Sequence, residues 1–410
     1  MLDLNFIREN KELVKKGIKA KGYEVQIVDH VLEVDQKRRA LLVKIESLRS
    51  QRNKLDRQDI DKGRQIKEEL KRLEPDLKRF EQELKEFLWQ IPAEDVPQGK
   101  NESENVEVKK WGEPQKLPFK VKNYQELGES LGIIDTQTAA KVSGTRFGYL
   151  KNEGVLLQQA LIKFAFDFLI KEGFLPVLPP ALISLDSMRG LGYMEGGGVD
   201  DMYLLEKDKL ALVGTAEHAL VPMHKNEILE AKKLPLRYAG FSPGFRREAG
   251  SYGKDTAGIF RVHQFDKVEM ISFVKPQAKA DEKEHQYLLS LEEKIVQALG
   301  VPYQITQMCT GDLGYPAARK YDLNCWFPSE NRYRETHSVS TCTDFQSRRL
   351  NIKYKDGNET GFVDVLNGTA IAMGRMILAI LENYQQKDGT VEIPKVLQKE
   401  TGFSKITPKK

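Results

Sequence analysis

The stretch FRREAGSYGKDTAGIFRVHQFDKVEM runs from Phe245 to Met270 and alternates apolar with charged side chains, as two paired β-strands would. Its middle holds glycines and charges, which predicts a polar loop between the strands. Because residues two apart share one face of a strand, Arg246 and Glu248 should point the same way, as should Arg261 and Phe265. Two interpretations fit this pattern: a surface ladder of salt bridges, or a site where arginines bind phosphate oxygens.

Around this stretch, short β-like runs follow one another closely, and helical patterns are few: residues 155–171, 277–299 and 370–385. This order favours an α+β fold, with a mainly antiparallel sheet flanked by helices, over a doubly wound parallel sheet. The chain contains neither a GxGxxG loop that opens a helix nor a GxxxxGK[ST] loop. A nucleotide would therefore have to be bound without either of these glycine loops.

The N-terminal part has a different periodicity, with one apolar heptad seam from Val31 to Leu55 and a second from Ile66 to Ile91. The polar segment DRQDIDKG lies between them. Each apolar stripe can bury itself only against the other, which predicts an antiparallel coiled-coil hairpin over about residues 28–91. Pro75 predicts either a kink in the second helix or a new helix start.

The positive charge of the chain is concentrated on this hairpin. The net charge of all 410 residues is only +4, yet between Gln36 and Arg57 eight basic residues stand against two acidic ones. The basic face is either a solvated coiled-coil surface or a phosphate-binding surface. Its candidate contacts to nucleic acid are Arg38, Arg39, Lys44, Arg49, Arg52 and Lys54.

The length and composition predict two or three domains, at about one per ~150 residues. Pro92 and Pro97 end the helical part, and a polar segment with few core-forming residues follows. We expect an N-terminal arm over residues 1–97, a linker over 98–118 and a large globular domain over 119–410. Cys309, Cys325 and Cys342 lack CxxC spacing, so we expect reduced thiols and no zinc. The N-terminus lacks the apolar core of a signal peptide, which favours a cytoplasmic protein with no membrane partner.

Three further segments concentrate polar residues in the way the opening stretch does. GTAEHAL places Thr215 and Glu217 two residues apart, and YRETHSVSTCTDFQSRR brings together several charges around Glu335. NGTAIAMGRMILAILENYQ begins as a polar turn and continues as an apolar helix with Arg375 in its second turn. The N-terminus of a helix beside an arginine predicts an anion site.

These segments together resemble the class II aminoacyl-tRNA synthetases. GFLPVLPPAL is similar to their motif 1, the opening stretch to motif 2, and NGTAIAMGRMILAILENYQ to motif 3. The helical hairpin, the TAE triplet, HQFDKVE and CTDFQSRR resemble the seryl-tRNA synthetase family in particular. The resemblance covers nearly the whole chain, with its elements in the expected order.

The resemblance implies roles at matching positions. Arg246 would hold both the ATP α-phosphate and the serine carboxylate, and the catalytic residues would be Arg246, Glu335 and Arg375. The implied ATP site comprises Arg246, Arg247, Glu248, Arg261, Val262, Phe265, Glu335, Thr336, His337, Ser338 and Arg375. The implied serine site comprises Thr215, Ala216, Glu217, Arg246, Glu269, Asn367 and Thr369. Glu335 and Ser338 would bind Mg²⁺.

The resemblance also implies tRNA(Ser) as partner, with tRNA(Sec) as a second substrate to consider, and a homodimer whose arm binds tRNA across subunits. His263 and His337 are expected to be structural, because an ionised carboxylate attacks phosphorus without a general base. Gly214, His337 and Thr341 depart from the usual family pattern and bear on geometry. Two rival interpretations are a ligase that loads an amino acid onto a carrier protein, which would lack the arm, and a catalytically dead relative, which would lack Arg246, Glu335 or Arg375.

Overall fold

The computed structural model describes residues 2–55, 59–91, 99–249, 258–277 and 279–409. The chain divides into two compact units, Met1–Glu94 and Asp95–Lys410. Within the described ranges, no helix combines the length and the apolar character needed to cross a membrane. Pro92, Pro97, Arg57 and the centre of the predicted polar loop, residues 250–257, lie outside the described residues.

The first unit contains the predicted coiled-coil hairpin. Its helices are α1 (Leu4–Glu9), α2 (Lys11–Ala20), α3 (Gln26–Asn53) and α4 (Ile60–Trp89). Buried side chains of the two seams pack together, Ile45 and Leu48 of α3 with Ile66 and Leu70 of α4, as the heptads predict. Helix α4 continues through Pro75, so the alternative of a new helix start at this residue is wrong.

The short helices α1 and α2 complete this unit and were not anticipated. Ile7, Val14 and Ile18 are buried with Val28 of α3 and Leu88 of α4 in one apolar cluster. A hairpin alone leaves the outer faces of its helices exposed, so the two short helices add a small core at one end.

The second unit has the predicted α+β architecture. Its helices are α5 (Tyr124–Ser130), α6 (Thr136–Ser143), α7 (Glu153–Lys171), α8 (Leu185–Leu191), α9 (Glu217–Leu220), α10 (Ala280–Ala298), α11 (Phe345–Leu350), α12 (Met373–Asn383) and α13 (Lys395–Thr401). Its strands are β1 (Val106–Trp111), β2 (Ile134–Asp135), β3 (Tyr149–Leu150), β4 (Leu175–Val177), β5 (Leu182–Ser184), β6 (Leu204–Leu205), β7 (Leu210–Leu212), β8 (Ile228–Glu230), β9 (Leu236–Phe245), β10 (Gln264–Val274), β11 (Tyr303–Gln307), β12 (Arg319–Phe327), β13 (Arg332–Thr341), β14 (Lys353–Asp356), β15 (Glu359–Phe362), β16 (Asp364–Ala372), β17 (Val391–Glu392) and β18 (Lys405–Ile406).

One large sheet organises this unit, with the described strands in the order β1-β11-β12-β13-β16-β10-β9-β4. Neighbouring strands are antiparallel except β4 and β9, which confirms the mainly antiparallel prediction. Strand β10 has a core on each face: Val268 and Met270 belong to one buried cluster, and Ile271 and Phe273 belong to the other. This alternation follows from the two-residue repeat of a strand.

The structure corrects the predicted extent of several elements. Strand β9 ends at Phe245 and β10 begins at Gln264, so Arg246, Glu248 and Arg261 follow or precede the strands instead of lying on them. Glu248 has a φ of 55°, a left-handed conformation that no strand contains. The prediction that strand alternation orients these three side chains was therefore wrong, because none of the three residues lies in a strand.

Two other predictions of local structure were wrong. Asn367 and Thr369 lie within strand β16, where a polar turn was expected, and Arg375 stands in the first turn of α12 instead of the second. The predicted linker over residues 98–118 contains β1, which pairs with β11 at the edge of the large sheet. All six residues of β1 are exposed, and the strand carries lysines, as is usual for an edge strand.

Candidate active site

Two adjoining cavities open on the large sheet. The first, of about 580 Å³, contains Arg246, Arg261 and Arg375, and we call it the arginine cavity. The second, of about 1100 Å³, contains Glu217 and Glu269, and we call it the glutamate cavity. The residues that line both cavities are Arg246, Lys267, Glu335 and Ser338.

The arginine cavity combines paired charges with aromatic faces. Arg261 Nη1 lies 2.9 Å from Glu248 Oε2, and Arg375 Nη1 lies 3.2 Å from Glu335 Oε1. The Arg246 guanidinium stacks 5.2 Å from the centre of the Phe265 ring. The salt bridges that the surface-ladder interpretation required are therefore present. They line a concave site, however, and do not form a ladder on a flat surface. Such a site suits a ligand with a planar apolar part and several negative charges.

A β-bulge in β13 decides which side chains of the RETHS segment reach the cavity. Glu335 pairs with Asn324 and His337 pairs with Leu323, so Thr336 is an extra residue in the ladder. The extra residue breaks the two-residue alternation and lets Glu335 and Ser338, three apart, line the same cavities.

The Glu335 carboxyl lies among three cations. Burial acts to raise its pKa, but the charges of Arg375, Lys320 and Arg246 outweigh burial and lower the pKa of Glu335 to about 2. The group is thus a fixed anion over the ordinary pH range. An ionised carboxylate beside the Ser338 hydroxyl provides oxygen ligands of the kind that Mg²⁺ prefers.

Glu217 forms the polar floor of the glutamate cavity and is held by two neighbours. Tyr193 donates its hydroxyl to Glu217 Oε2 at 3.0 Å, and Gln346 donates Nε2 to Glu217 Oε1 at 2.8 Å. Burial raises the pKa of Glu217, while the hydrogen bond from Gln346 opposes that rise. Both carboxylate oxygens thereby have a fixed orientation toward the cavity.

Gly214, one of the departures from the family pattern, connects the TAE segment to Arg246. Its N–H donates to His218 Nδ1 at 3.1 Å, and its carbonyl accepts from Arg246 Nε at 3.2 Å. Burial, reinforced by the charges of Arg246 and Lys267, lowers the pKa of His218 to about 3, so the ring is neutral and can accept this bond. A proline at this position would lack the N–H that His218 binds.

Glu269 and Lys267 lie two residues apart on β10, and their side chains form a buried ion pair. A second bulge, at Ala370, places Thr369 opposite Glu269 across the β10–β16 ladder. Asn367 lines the glutamate cavity, and Thr369 lines the arginine cavity. Three of the residues that the resemblance assigns to a serine site, Glu269, Asn367 and Thr369, thus meet at the junction of β10 and β16.

The structure brings most of the expected residues together and leaves three aside. His337 is buried with its Nδ1 2.8 Å from Thr336 Oγ1, and it does not line either cavity. Arg247 is turned away, because its Nε donates to the Met202 carbonyl at 2.7 Å. Ala216 is buried beneath the glutamate cavity and does not line it. Arg247 and His337 line neither cavity, and their place in the ATP-site set stays a prediction.

Three residues that line the cavities or hold their side chains were missed. Lys267 shares a strand face with Phe265 and Glu269, so the alternation in HQFDKVE could have revealed it. Gln346 lies in the quoted CTDFQSRR segment but carries no charge, and Tyr193 precedes the TAE triplet by more than twenty residues. No local pattern connects Tyr193 to Glu217.

The candidate nucleic-acid residues of the first unit are exposed except for Arg38, which is half-buried, and several are already paired. Arg38 and Arg39 contact the buried carboxylate of Asp35, Lys44 contacts Glu69 at 2.7 Å, and Arg49 contacts Glu74 at 2.9 Å. Within the described part of the hairpin, no ion pair is recorded for Arg52 or Lys54. The Lys44–Glu69 and Arg49–Glu74 pairs are exposed, and such pairs contribute only about 0–1 kcal/mol, so a phosphate can replace the carboxylate partner there.

Comparison with known proteins agrees with this architecture. Residues 1–94 match a seryl-tRNA synthetase N-terminal domain model, and residues 203–384 match a model of the class II tRNA synthetase core domain (G, H, P, S and T). The serine–tRNA ligase of Dictyoglomus turgidum is 42% identical, with all of both chains covered. That of Pyrococcus abyssi is 44% identical over 100% of this chain and 98% of the relative.

Solved structures give the same result. The crystal structure of seryl-tRNA synthetase from Pyrococcus horikoshii complexed with ATP has a TM-score of 0.94 and 41% identity, with 100% of each chain covered. A cytoplasmic serine–tRNA ligase from Naegleria fowleri in complex with AMP has a TM-score of 0.90 and 32% identity, covering 100% of this chain and 99% of that one. The chain therefore belongs to the seryl-tRNA synthetase family of class II aminoacyl-tRNA synthetases.

Proposed function

We propose that this protein activates L-serine with ATP to seryl-adenylate and pyrophosphate, and then transfers serine to the 3′ end of tRNA(Ser). The observation that carries the proposal is the shared wall of the two cavities, where Arg246, Lys267, Glu335 and Ser338 line both. A carboxylate in one cavity and a triphosphate in the other would meet at this wall. The names of the full-length relatives support serine and tRNA as substrates.

The arginine cavity is the proposed ATP site. The adenine ring would lie along Val262 and Phe265, with its amino group toward Glu248, and Arg261 and Arg375 would bind the phosphates. The ATP complex of the Pyrococcus horikoshii relative supports this assignment. Arg261 and Arg375 are each paired with a carboxylate at 2.9 and 3.2 Å, so their fork geometry is already in place for phosphate oxygens.

The glutamate cavity is the proposed serine site. Thr215 and Glu217 would bind the α-ammonium group, Arg246 the carboxylate, and Glu269 the side-chain hydroxyl, with Asn367 and Thr369 beside it. A carboxylate that accepts the hydroxyl would be left without a partner by alanine, which is a large penalty in a buried site.

Mg²⁺ is the proposed cofactor, held by the Glu335 carboxylate and the Ser338 hydroxyl. The low pKa of Glu335 and the shared direction of the two side chains fit an oxygen-ligated divalent ion. When bound, the ion would neutralise phosphate charge.

The first reaction requires positioning more than proton transfer. The serine carboxylate attacks the α-phosphorus, a carboxylate-oxygen-to-phosphorus bond forms, and the bond to the pyrophosphate oxygen breaks. The nucleophile is already ionised, so no general base is needed. Arg246 would hold the two repelling anions in line, and Arg261 and Arg375 would stabilise the charge that develops on the leaving pyrophosphate.

The remaining assignments concern tRNA and assembly. The basic face of residues 36–57 is the proposed contact to tRNA(Ser), mainly to its backbone, in a cytoplasmic enzyme whose arm spans residues 1–97 and whose catalytic domain spans residues 119–410. A homodimer is supported by the exposed apolar edge at β4, where Leu175 is 51% and Leu178 is 77% exposed. Charging of tRNA(Sec) is a further substrate to test.

Serine-dependent exchange of pyrophosphate into ATP, followed by charging of a serine tRNA, tests the proposal. We expect both activities in the wild type. Arg246→Lys should lose at least ~100-fold in exchange, because an ammonium lacks the bidentate fork and the stacking surface of arginine. An inactive but stably folded wild type would contradict the proposal, as would exchange that serine does not stimulate.

A further inference from the structure

We infer that Lys267 is a positioning residue for serine recognition: its buried ammonium holds the Glu269 carboxylate in the orientation that accepts the substrate hydroxyl. This inference deepens the proposed function and rests on it, because it assumes that Glu269 meets the serine side chain. Lys267 lies in the HQFDKVE segment that resembles the family, but the site residues expected from the sequence did not include it.

The location of Lys267 motivates the inference. It is one of the residues that line both cavities, and the other three already have an expected role with ATP, serine or Mg²⁺. Only 7% of Lys267 and 2% of Glu269 is exposed. A lysine is rarely buried to this extent unless it has a charged partner.

The backbone fixes the pair. Lys267 and Glu269 lie two residues apart on β10, so their side chains share one face of a central strand. Lys267 pairs with Ser242 of β9 and Ala372 of β16, and Glu269 pairs with Gly240 and Thr369. Strands on both sides therefore hold the backbone, and the ammonium and the carboxylate meet at a smaller cost in conformational entropy than two loop residues would incur.

The surrounding charges explain why the pair is needed. Burial lowers the pKa of Lys267 and repulsion from Arg246 lowers it further, whereas attraction from Glu269 and Glu217 opposes both effects. Beneath the sheet, the fully buried Glu292 has its pKa raised by burial, and the charge of Glu269 adds to this rise. Among these groups, Lys267 is the cation that contacts the Glu269 carboxylate.

Without the ammonium, the Glu269 carboxylate would rotate toward another donor. This rotation would remove an acceptor from the place where the serine hydroxyl binds. Removal of the Lys267 ammonium should therefore weaken serine binding and selectivity more than ATP binding, which a purely structural role would not predict.

A double-mutant cycle on the purified full-length enzyme tests this inference, with pyrophosphate exchange as the readout. We expect Lys267→Met and Glu269→Gln each to raise the KM for serine by about 10- to 100-fold and to reduce discrimination against alanine, with the KM for ATP within ~2-fold of wild type. The double variant should be no worse than the poorer single variant, because both changes break one interaction. Lys267→Arg, which keeps the charge, should retain more serine affinity than Lys267→Met.

Lys275→Met is the matched control. Lys275 is also a lysine with little exposure, and it contacts Asp356 and Glu359 at 2.8 Å, but it lines neither cavity. Its replacement should leave the KM for serine unchanged. Lys267→Gln gives a second measurement of the removed charge if the methionine variant does not fold.

Three results would overturn the inference: an unchanged KM for serine in the Lys267 variants, effects of the two single changes that multiply in the double variant, or equal losses for serine and ATP. In each of these cases a wild type with normal serine-dependent exchange shows that the proposed function stands and only this inference fails. Absence of exchange in the wild type would remove both.

Discussion

Arg246 illustrates how one side chain acquires several tasks from its position. It follows the last residue of β9, stacks on Phe265, donates to the Gly214 carbonyl at 3.2 Å and lines both cavities. The Gly214 N–H in turn donates to a neutral His218. The arginine at the shared wall is thus oriented by groups that belong to the proposed serine site, so that a change in one cavity affects the other.

The neutral His218 predicts a specific pH dependence. Its pKa is lowered to about 3 in the folded protein, below the unfolded value of about 6.5. The unfolded chain therefore binds a proton that the folded protein excludes between these values. The free energy of unfolding should fall as the pH decreases through this window, by up to ~1.4 kcal/mol per pH unit, with no further decrease from this residue below about pH 3. In His218→Asn, the free energy of unfolding, measured with urea, should decrease less between pH 6.5 and 4.5 than it does in the wild type.

His285→Asn is the control for this measurement. His285 is also buried, and burial lowers its pKa to about 4, but its Nε2 lies 3.1 Å from the Val339 carbonyl, away from both cavities. Both variants should have a shallower pH dependence, and only His218→Asn should raise the KM for serine. If the free energy of unfolding of His218→Asn depended on pH as strongly as that of the wild type, His218 would not be the residue that loses its proton on folding.

Among secondary-structure elements, irregular strands place the site. The bulges at Thr336 and Ala370 both lie where strands border the cavities, and each changes which side chains reach them. A bulge leaves one residue of the strand without a partner in the ladder and redirects a side chain, which is why bulges are common beside active sites. The motif sequences gave the residue types correctly, but a regular alternation would have placed Glu335 and Ser338 on opposite faces.

Helix α4 yields a prediction because it contains Pro75 without ending there. Proline removes one backbone hydrogen bond and crowds the preceding turn, at a cost of ~3 kcal/mol in an unconstrained helix. Pro75→Ala should therefore slow amide hydrogen exchange over residues 71–79 of the full-length protein by roughly 10-fold or more. The same change at Lys85, near the end of α4, should leave exchange over residues 71–79 unaltered. Unchanged exchange in Pro75→Ala would show that the helix accommodates the ring without cost.

At the level of the whole chain, the two compact units suggest separable activities. The basic face belongs to Met1–Glu94, and both cavities belong to Asp95–Lys410. The family-model matches fall on either side of the same division, at residues 1–94 and 203–384. Adenylate formation should therefore depend on the second unit, and the salt dependence of charging should depend on the first.

Arg52→Gln combined with Lys54→Gln tests this separation. Both residues are exposed, and removing one phosphate interaction should reduce the slope of log affinity against log salt by ~0.7–0.9. For the two changes together, we expect the slope of log KM for tRNA(Ser) against log salt to fall by roughly 1.5, which is two phosphate contacts. Serine-dependent exchange should stay unchanged. Lys67→Gln with Lys71→Gln, on α4, provides a control of equal charge that should alter the slope less. Equal slopes for the two pairs, or a parallel decrease in exchange, would argue against the assignment.

The chain's local patterns were enough for the architecture and for most of the site's residue types. Heptad spacing led to the hairpin because an apolar stripe on a helix must be buried, and close-spaced β runs led to the antiparallel sheet. The motif resemblance supplied Arg246, Glu248, Arg261, Glu335 and Arg375 before any coordinates. Strand β1 was missed because it is a short edge strand within a polar segment and none of its residues is buried.

The directions of the side chains depended on folding. Glu217 is held by Tyr193 and by Gln346, which lies 129 positions away in the chain. Glu269 is held by Lys267 through their positions on one strand. His337 points away from the cavities because of the bulge at Thr336. Arg247 points away because its Nε donates to the carbonyl of Met202, in a distant segment. Local sequence encodes the periodicity of burial, whereas the choice of partner for each polar side chain is made only when distant strands pair, because that pairing sets which groups lose water together.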